Sequence, residues 1–196
     1  MKVLIVYASR YGSTQGIAER IAETLRQHAL EVAVKPVQDA DDPAGYGAVI
    51  VGSAAYYFRW LKKASGFVRR YRDTLAERPV WLFSSGPLGT KATDDQGRDL
   101  LTVLEPREIA EFRDAIHPRG HHVFFGALLP KKLGFFHRLM FNLPANRDRK
   151  LFPDGDFRDW NAIDAWAGKI AEELTEDLKA GAERTASVSH DAGIPA

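Results

Sequence analysis

The stretch Leu4-Ile5-Val6-Tyr7-Ala8-Ser9-Arg10-Tyr11-Gly12-Ser13-Thr14-Gln15-Gly16-Ile17-Ala18 restricts the possible folds of this chain more than any other. Residues 2–8 are almost unbrokenly apolar and rich in Val, Leu and Ile, which is the pattern of a strand covered on both faces in a parallel sheet. The period then changes. Ile17, Ile21 and Leu25 recur every four residues with Ala18 and Ala22 beside them, predicting a helix with one buried stripe. Between strand and helix lies a short hydroxyl-rich turn. Ser9, Ser13 and Thr14 offer hydroxyl groups, Gly12 lets the backbone pass close to a ligand, and the helix start presents unpaired N–H groups at the positive end of its dipole. That set suits a phosphate, although Ser13 or Thr14 would equally serve as the N-cap of an ordinary strand-loop-helix connection.

The strand grammar returns along the chain. Residues 31–37 alternate Val32, Val34 and Val37 with less apolar neighbours and predict a peripheral strand, while 48–53 and 79–84 repeat the buried pattern. A fifth strand is expected at 121–128, and helices at 59–77, 107–116 and 159–179. Strands alternating with helices imply a doubly wound α/β sandwich of three layers. Its ligand would gather at the carboxyl ends of the strands, near a topological switch point.

Three such ends carry ligand-like chemistry. The first is Ser9, Arg10, Tyr11, Gly12, Ser13 and Thr14. The second is Ser53, Ala54, Ala55, Tyr56 and Tyr57, followed by Phe58, Arg59 and Trp60, an aromatic cluster able to stack on a planar ring, although Phe58 or Trp60 would equally pack inward. The third is Ser84, Ser85, Gly86, Pro87 and Leu88, a turn whose backbone can approach a ring edge. Two commoner phosphate loops are excluded by residue type: no Lys-Ser or Lys-Thr pair follows a glycine turn, and no triple-glycine fingerprint follows the strand.

The first loop resembles the flavodoxin family signature, with Ile5, Val6, Tyr7, Ser9, Gly12, Thr14, Ala18 and Ile21 filling its constrained positions. The resemblance implies a flavodoxin-like, five-stranded parallel sheet of order 2-1-3-4-5. It also implies one non-covalent FMN, with its phosphate at residues 9–14 and its ring flanked by 54–57 and 84–88. Residues 51–75 also look like the flavodoxin-type protoporphyrinogen oxidases, quinone-dependent bacterial enzymes that dehydrogenate a haem precursor: Gly52, Tyr57 and Phe67-Val68 followed by basic residues sit in comparable places. The likeness resumes at 122–128, in the basic and aromatic segment after it and in a tryptophan-bearing final helix. It lapses over 91–119, and 155–160 is more similar to actinobacterial flavodoxin-domain proteins. The expected function is an FMN-dependent oxidoreductase of the protoporphyrinogen-dehydrogenating kind; an electron carrier or a cofactor-free domain of the same fold are the alternatives.

Charge separates the first two. Flavodoxins that act as carriers typically surround the flavin with acidic side chains, whereas Arg10, Arg59, Lys62, Lys63, Arg69, Arg70 and Arg72 make this neighbourhood basic, which favours anionic substrates such as porphyrin propionates. Residues 131–150 combine Lys131, Lys132, Arg138, Arg147, Arg149 and Lys150 with Leu133, Phe135, Phe136, Leu139, Met140, Phe141 and Leu143. That mixture suits an anionic membrane surface or a greasy quinone or porphyrin entrance, and equally an irregular helix packing Phe136 and Met140 on the sheet. With 27 basic and 26 acidic residues overall, nothing points to nucleic acid. Cysteine is absent, so thiolate chemistry and iron–sulfur ligation are excluded and redox work requires a bound cofactor.

Without a leader-like start or a bilayer-length apolar run, a cytoplasmic protein with peripheral contact at the inner face of the cell membrane is expected. Residues 1–175 would form the domain and 176–196 a flexible tail. His121 and His122, as strand neighbours, point to opposite faces and are read as structural rather than as a metal pair; His28, His117 and His137 lack partners at ligand spacing. Ser84-Ser85 shows no accompanying His and acid, Asp41-Asp42 and Asp94-Asp95 are read as solvated, and Asp156 or Asp159 is expected to cap the last helix.

Overall fold

Strand β1, Lys2–Ala8, is buried along most of its length because its residues feed two cores at once. Val3 and Ile5 enter one hydrophobic cluster, Leu4 and Val6 the other, which is why the strand carries no polar alternation. The computed structural model describes residues 1–86, 93, 96–97, 99, 103–128 and 155–191, with backbone alone over 185–191. Pro87, Leu88, Asp94-Asp95, His137 and the basic segment 131–150 lie outside the described residues.

After β1 come α1 (Ser13–Gln27), β2 (Glu31–Pro36), β3 (Ala48–Tyr56), β4 (Arg59–Trp60), α2 (Lys62–Arg70), α3 (Arg72–Ala76) and β5 (Val80–Ser85). Next are α4 (Glu108–Ile116), β6 (Gly120–Phe124), β7 (Ala127–Leu128), β8 (Gly155–Asp156) and α5 (Trp160–Asp191). Five strands lie parallel in the order β2-β1-β3-β5-β6, the expected order once the short hairpin strand β4 is set aside. Helices α1 and α5 cover one face through Ile17, Ile21, Leu25, Ile163, Ile170 and Leu174. On the other face α2, α3 and α4 pack Phe67, Val68, Leu75, Ile109 and Phe112. The order reverses between β1 and β3, so a crevice opens at their carboxyl ends.

Three elements differ from expectation. Strand β3 continues to Tyr56, turns through Tyr57 and Phe58 and returns as β4, paired antiparallel with Ala55 opposite Trp60. The helix expected at 59–77 therefore begins only at Lys62 and is broken at Tyr71. The strand expected at 121–128 divides: β6 ends at Phe124, and Ala127–Leu128 leaves the main sheet to pair with Gly155–Asp156. Helix α5 runs past residue 179 to Asp191. Among its described side chains the last buried one is Leu174, so the continuation through Glu176, Lys179 and Ala180 rests on helix propensity rather than core packing.

Helix ends account for smaller features. Asp159 caps α5, its Oδ1 accepting the Ala162 N–H at 3.0 Å, while Asp156 pairs with Arg158 instead. Helix α1 closes with the Leu30 N–H donating to the Leu25 carbonyl at 3.3 Å and Ala29 in the left-handed region at φ 58°, a position where glycine is the usual residue. Ala29→Gly is expected to raise stability by roughly 0.5–1 kcal/mol, because relief of the Cβ clash outweighs the added unfolded-state entropy; a lower urea midpoint for the variant would contradict this.

Candidate functional site

Three loops meet at the crevice. In the first, Ser9 Oγ accepts the Gly12 N–H at 3.0 Å and folds the turn back on itself, and Gly12 stands at φ 86° immediately before α1. Among the described residues no side chain caps α1. Its first-turn N–H groups therefore point into the loop without a side-chain acceptor, at the positive end of a 15-residue helix. Thr14 is fully buried, and its Oγ1 has no hydrogen-bond partner among the described residues. A buried hydroxyl is rarely left unpaired, and together with free amide donors it is the donor set a phosphate monoester requires.

The second loop is the β3–β4 hairpin. Ala54 is buried and Ala55 half-buried, whereas Tyr56 is 36%, Tyr57 85% and Phe58 45% exposed. Tyr57 and Phe58 occupy φ 50° and 60°, so a tight turn is made by two bulky residues where glycine or asparagine is usual. Of the two aromatic residues open to inward packing, Trp60 does so at 4% exposed and Phe58 does not. Burial of its ring, reinforced by Tyr11 and opposed by Arg10, pushes the Tyr56 phenol up to about 12, so it stays protonated at neutral pH.

These loops converge with the third, which follows β5. Ser13 Oγ accepts the Ala127 N–H at 2.9 Å and lies 3.4 Å from Ser85 Oγ, tying the first loop to the third. A Cβ on Gly86 would come within 2.8 Å of the Ala55 carbonyl, so the third loop touches the second. The Arg10 guanidinium stands 5.7 Å from the Tyr11 ring and 6.0 Å from the Tyr56 ring, linking first and second. Within the expected set, Ser53 and Ser84 are fully buried. Ser53 Oγ accepts the Leu61 N–H and donates to the Ala54 carbonyl, so it shapes the hairpin from inside.

Ser84 does have the histidine and acid that the sequence did not reveal. Its Oγ is 2.8 Å from His121 Nε2, His121 Nδ1 is 2.9 Å from Glu105 Oε1, and Arg113 holds Glu105 from the other side. No nucleophile results, because Trp60 Nε1–H donates to the same Ser84 Oγ at 2.8 Å and nothing of Ser84 reaches the surface. Burial holds His121 down to about 4 against the opposing pull of Glu105. Burial alone would raise Glu105, but hydrogen bonds from Arg113 and His121 outweigh it and hold the carboxyl below its usual range. His122 lies on the opposite face, its ring 4.5 Å from Phe124 and 6.2 Å from Trp166. Among the described residues no group of three metal-ligating side chains occurs.

Sequence reasoning also missed Arg158. Its guanidinium stacks 4.3 Å from the Trp160 ring and pairs with Asp156, with Nη1 3.5 Å from the Ser13 carbonyl. Glycine at position 16 makes room, since a Cβ there would lie 2.4 Å from Nη1. Nothing in the spacing of these residues signals the contact.

A family model described as a flavodoxin domain matches residues 4–151. The quinone-type protoporphyrinogen IX dehydrogenase of Escherichia coli strain K12 is 22% identical over 182 residues, covering 87% of this chain and 95% of that protein. Among solved structures, a flavodoxin from the domain Archaea aligns at TM-score 0.53 and 19% identity over 89% of this chain and 99% of that one. Rubredoxin oxygen:oxidoreductase from Desulfovibrio gigas aligns at TM-score 0.55 and 18% identity over 90% of this chain and 37% of that one. A Streptococcus pneumoniae flavodoxin aligns at 0.51 and 16% over 90% and 99%. The likenesses to solved structures establish the fold; the family model, spanning most of the chain, establishes that this protein belongs to the flavodoxin domain family, with FMN as its cofactor.

Proposed function

We propose that this protein is an FMN-dependent oxidoreductase acting on a planar, anionic substrate with a quinone as acceptor, in the manner of protoporphyrinogen IX dehydrogenation. One observation carries the reading. The loops 9–14 and 53–63 contain Arg10, Arg59, Lys62 and Lys63 and neither Asp nor Glu, beside the exposed rings of Tyr57 and Phe58 and the partly buried ring of Tyr56. Such a rim attracts carboxylates and stacks against flat rings, where a carrier of the acidic kind would repel them.

Within this reading the first-turn N–H groups of α1 and the hydroxyls of Ser9, Ser13 and Thr14 hold the FMN phosphate, with Arg10 at the loop's outer edge. Ala54, Ala55, Tyr56 and Tyr57 wall one side of the ring, and Ser85 and Gly86 the other. The flavin, once bound, supplies two-electron acceptance and delivery. The protein's own share is to orient substrate and exclude water, with Tyr56 available as a neutral hydrogen-bond donor. Residues 131–150 are the proposed route to an anionic membrane or a lipophilic acceptor. Among the described residues no helix is long and apolar enough to cross a membrane.

FMN titration followed by fluorescence quenching, then anaerobic turnover of protoporphyrinogen IX with a menaquinone analogue, tests the proposal. Ser9→Glu and Thr14→Glu are expected to weaken FMN binding at least about 100-fold, by placing a like charge against the phosphate. Unchanged affinity would remove the phosphate assignment. Tight FMN binding without turnover would move the protein to electron transfer between protein partners or to another substrate.

A further inference from the structure

The buried hydrogen-bond chain on the α4 side of the sheet ends at the flavin-side hairpin. Every link has a defined direction. The ionised Glu105 carboxylate can only accept, so the neutral His121 ring carries its hydrogen on Nδ1. Its Nε2 then accepts the Ser84 hydroxyl, whose Oγ in turn accepts the Trp60 indole N–H. Trp60 is 4% exposed, Ser84 fully buried and the His121 side chain 2% exposed, so each lost link would leave a buried polar group unpaired.

The same short segment grips the hairpin twice more. The Arg107 N–H donates to the Phe58 carbonyl at 3.0 Å, and Glu108 Oε2 accepts the Trp60 N–H at 3.3 Å. Glu105, Arg107 and Glu108 therefore fasten both the tip and the base of a turn whose two central residues, Tyr57 and Phe58, sit at positive φ. A conformation of that kind persists only where its surroundings enforce it.

We propose that Glu105, His121, Ser84 and Trp60 form a positioning relay that holds the Tyr56–Phe58 turn in its strained conformation against the flavin, and so sets FMN affinity without touching the cofactor. The relay rests on the assignment of that hairpin as one wall of the FMN site. All four are positioning residues. The arrangement of Ser84, His121 and Glu105 matches a hydrolytic triad in its distances, but the Trp60 seal turns it to a mechanical use.

The test uses the full chain with Ser84→Ala, His121→Phe, Glu105→Ala and Glu105→Gln, and Ser65→Ala as a control that removes a buried hydroxyl unconnected to the relay. FMN affinity, the visible spectrum of the bound flavin and chymotryptic cleavage at Tyr57 and Phe58 are read on each. Ser84→Ala and His121→Phe are expected to weaken FMN roughly tenfold, shift the flavin band and speed tip cleavage, and their combination to do little more than either alone. Glu105→Gln, which keeps an acceptor for His121, is expected to retain most of the affinity that Glu105→Ala loses. Ser65→Ala should match the parent. Equal FMN affinity, spectrum and cleavage rate in the folded relay variants would overturn the relay. Glu105 is 29% exposed, so its variants remain informative where a core variant fails to fold. Should the parent itself bind no FMN, the functional reading falls, and the cleavage rates alone decide whether the relay holds the hairpin.

Discussion

Gly52→Ala is expected to cost about 3 kcal/mol or more, a large fraction of the stability of a domain of this size. Gly52 is in the central strand β3, paired with Tyr7 on one side and Phe83 on the other. A Cβ there would lie 1.9 Å from the Phe83 ring. That ring has no room to retreat: Phe83 is fully buried, with Phe124 at 6.2 Å and Trp166 at 6.3 Å. Phe83→Ala alone is expected to cost about 4 kcal/mol through lost burial and the cavity left behind. The double variant is expected to be scarcely worse than Phe83→Ala, because the new methyl enters the space the ring vacated. Urea unfolding of the four proteins gives the coupling energy. Additivity within about 0.5 kcal/mol would show that the ring and the glycine do not share that space.

The β1–α1 unit is the part of the molecule that could be read directly from its residues. A doubly buried strand, a turn of small and hydroxyl residues and a four-residue apolar repeat each have a single economical structure, and the three agree. The parallel sheet followed from the same grammar repeated, whereas its strand order came from the family resemblance. The β3–β4 hairpin was illegible for a physical reason: Tyr57-Phe58 carries none of the Gly or Asn chemistry that announces a turn with positive φ, and tertiary bonds from Arg107 and Glu108 impose it instead. Position parity on β5 and β6 does put Ser84 and His121 on one face, since Ser84 pairs with Val123 and His121 lies two residues before it. Glu105 comes from an irregular segment before α4, which no periodicity places. In the candidate site the turn between β1 and α1 was thus visible, whereas the support behind the other two loops, from Ser53, Ser84 and Trp60, and the approach of Arg158 to Gly16, depended on contacts between distant segments.

The long reach of α5 has a similar explanation. Periodicity marks where a helix is buried, and it fades after Leu174 although helix-forming residues continue. A local pattern measures packing and propensity together; here the two end at different places.

Acid is expected to destabilise this protein well above the pH at which most exposed carboxylates titrate, and His121 is the main cause. The unfolded chain binds a proton at this residue near pH 6.5, while burial keeps the folded ring neutral down to about 4. Across that interval the unfolded state holds more protons, so stability falls as pH falls from 6.5 toward 4 and levels off below. For a side chain only 2% exposed the loss approaches about 3 kcal/mol. His122, also lowered by burial, adds in the same direction. So do Glu105, held low because hydrogen bonds from Arg113 and His121 outweigh its burial, and Asp164, held low first by its hydrogen bond from Arg20. Their contribution is full above the ordinary carboxylate range and is lost as pH drops through their depressed folded values, which places it at the acid end of the same curve. His121→Phe removes the titrating group and leaves the others. It should be less stable than the parent at pH 7, since Ser84 and Glu105 lose a partner, yet its urea midpoint should change far less between pH 6.5 and 4.5. A parent midpoint that stays flat over that interval would mean that His121 takes up its proton without cost, which the burial of its side chain beside Ser84 does not allow.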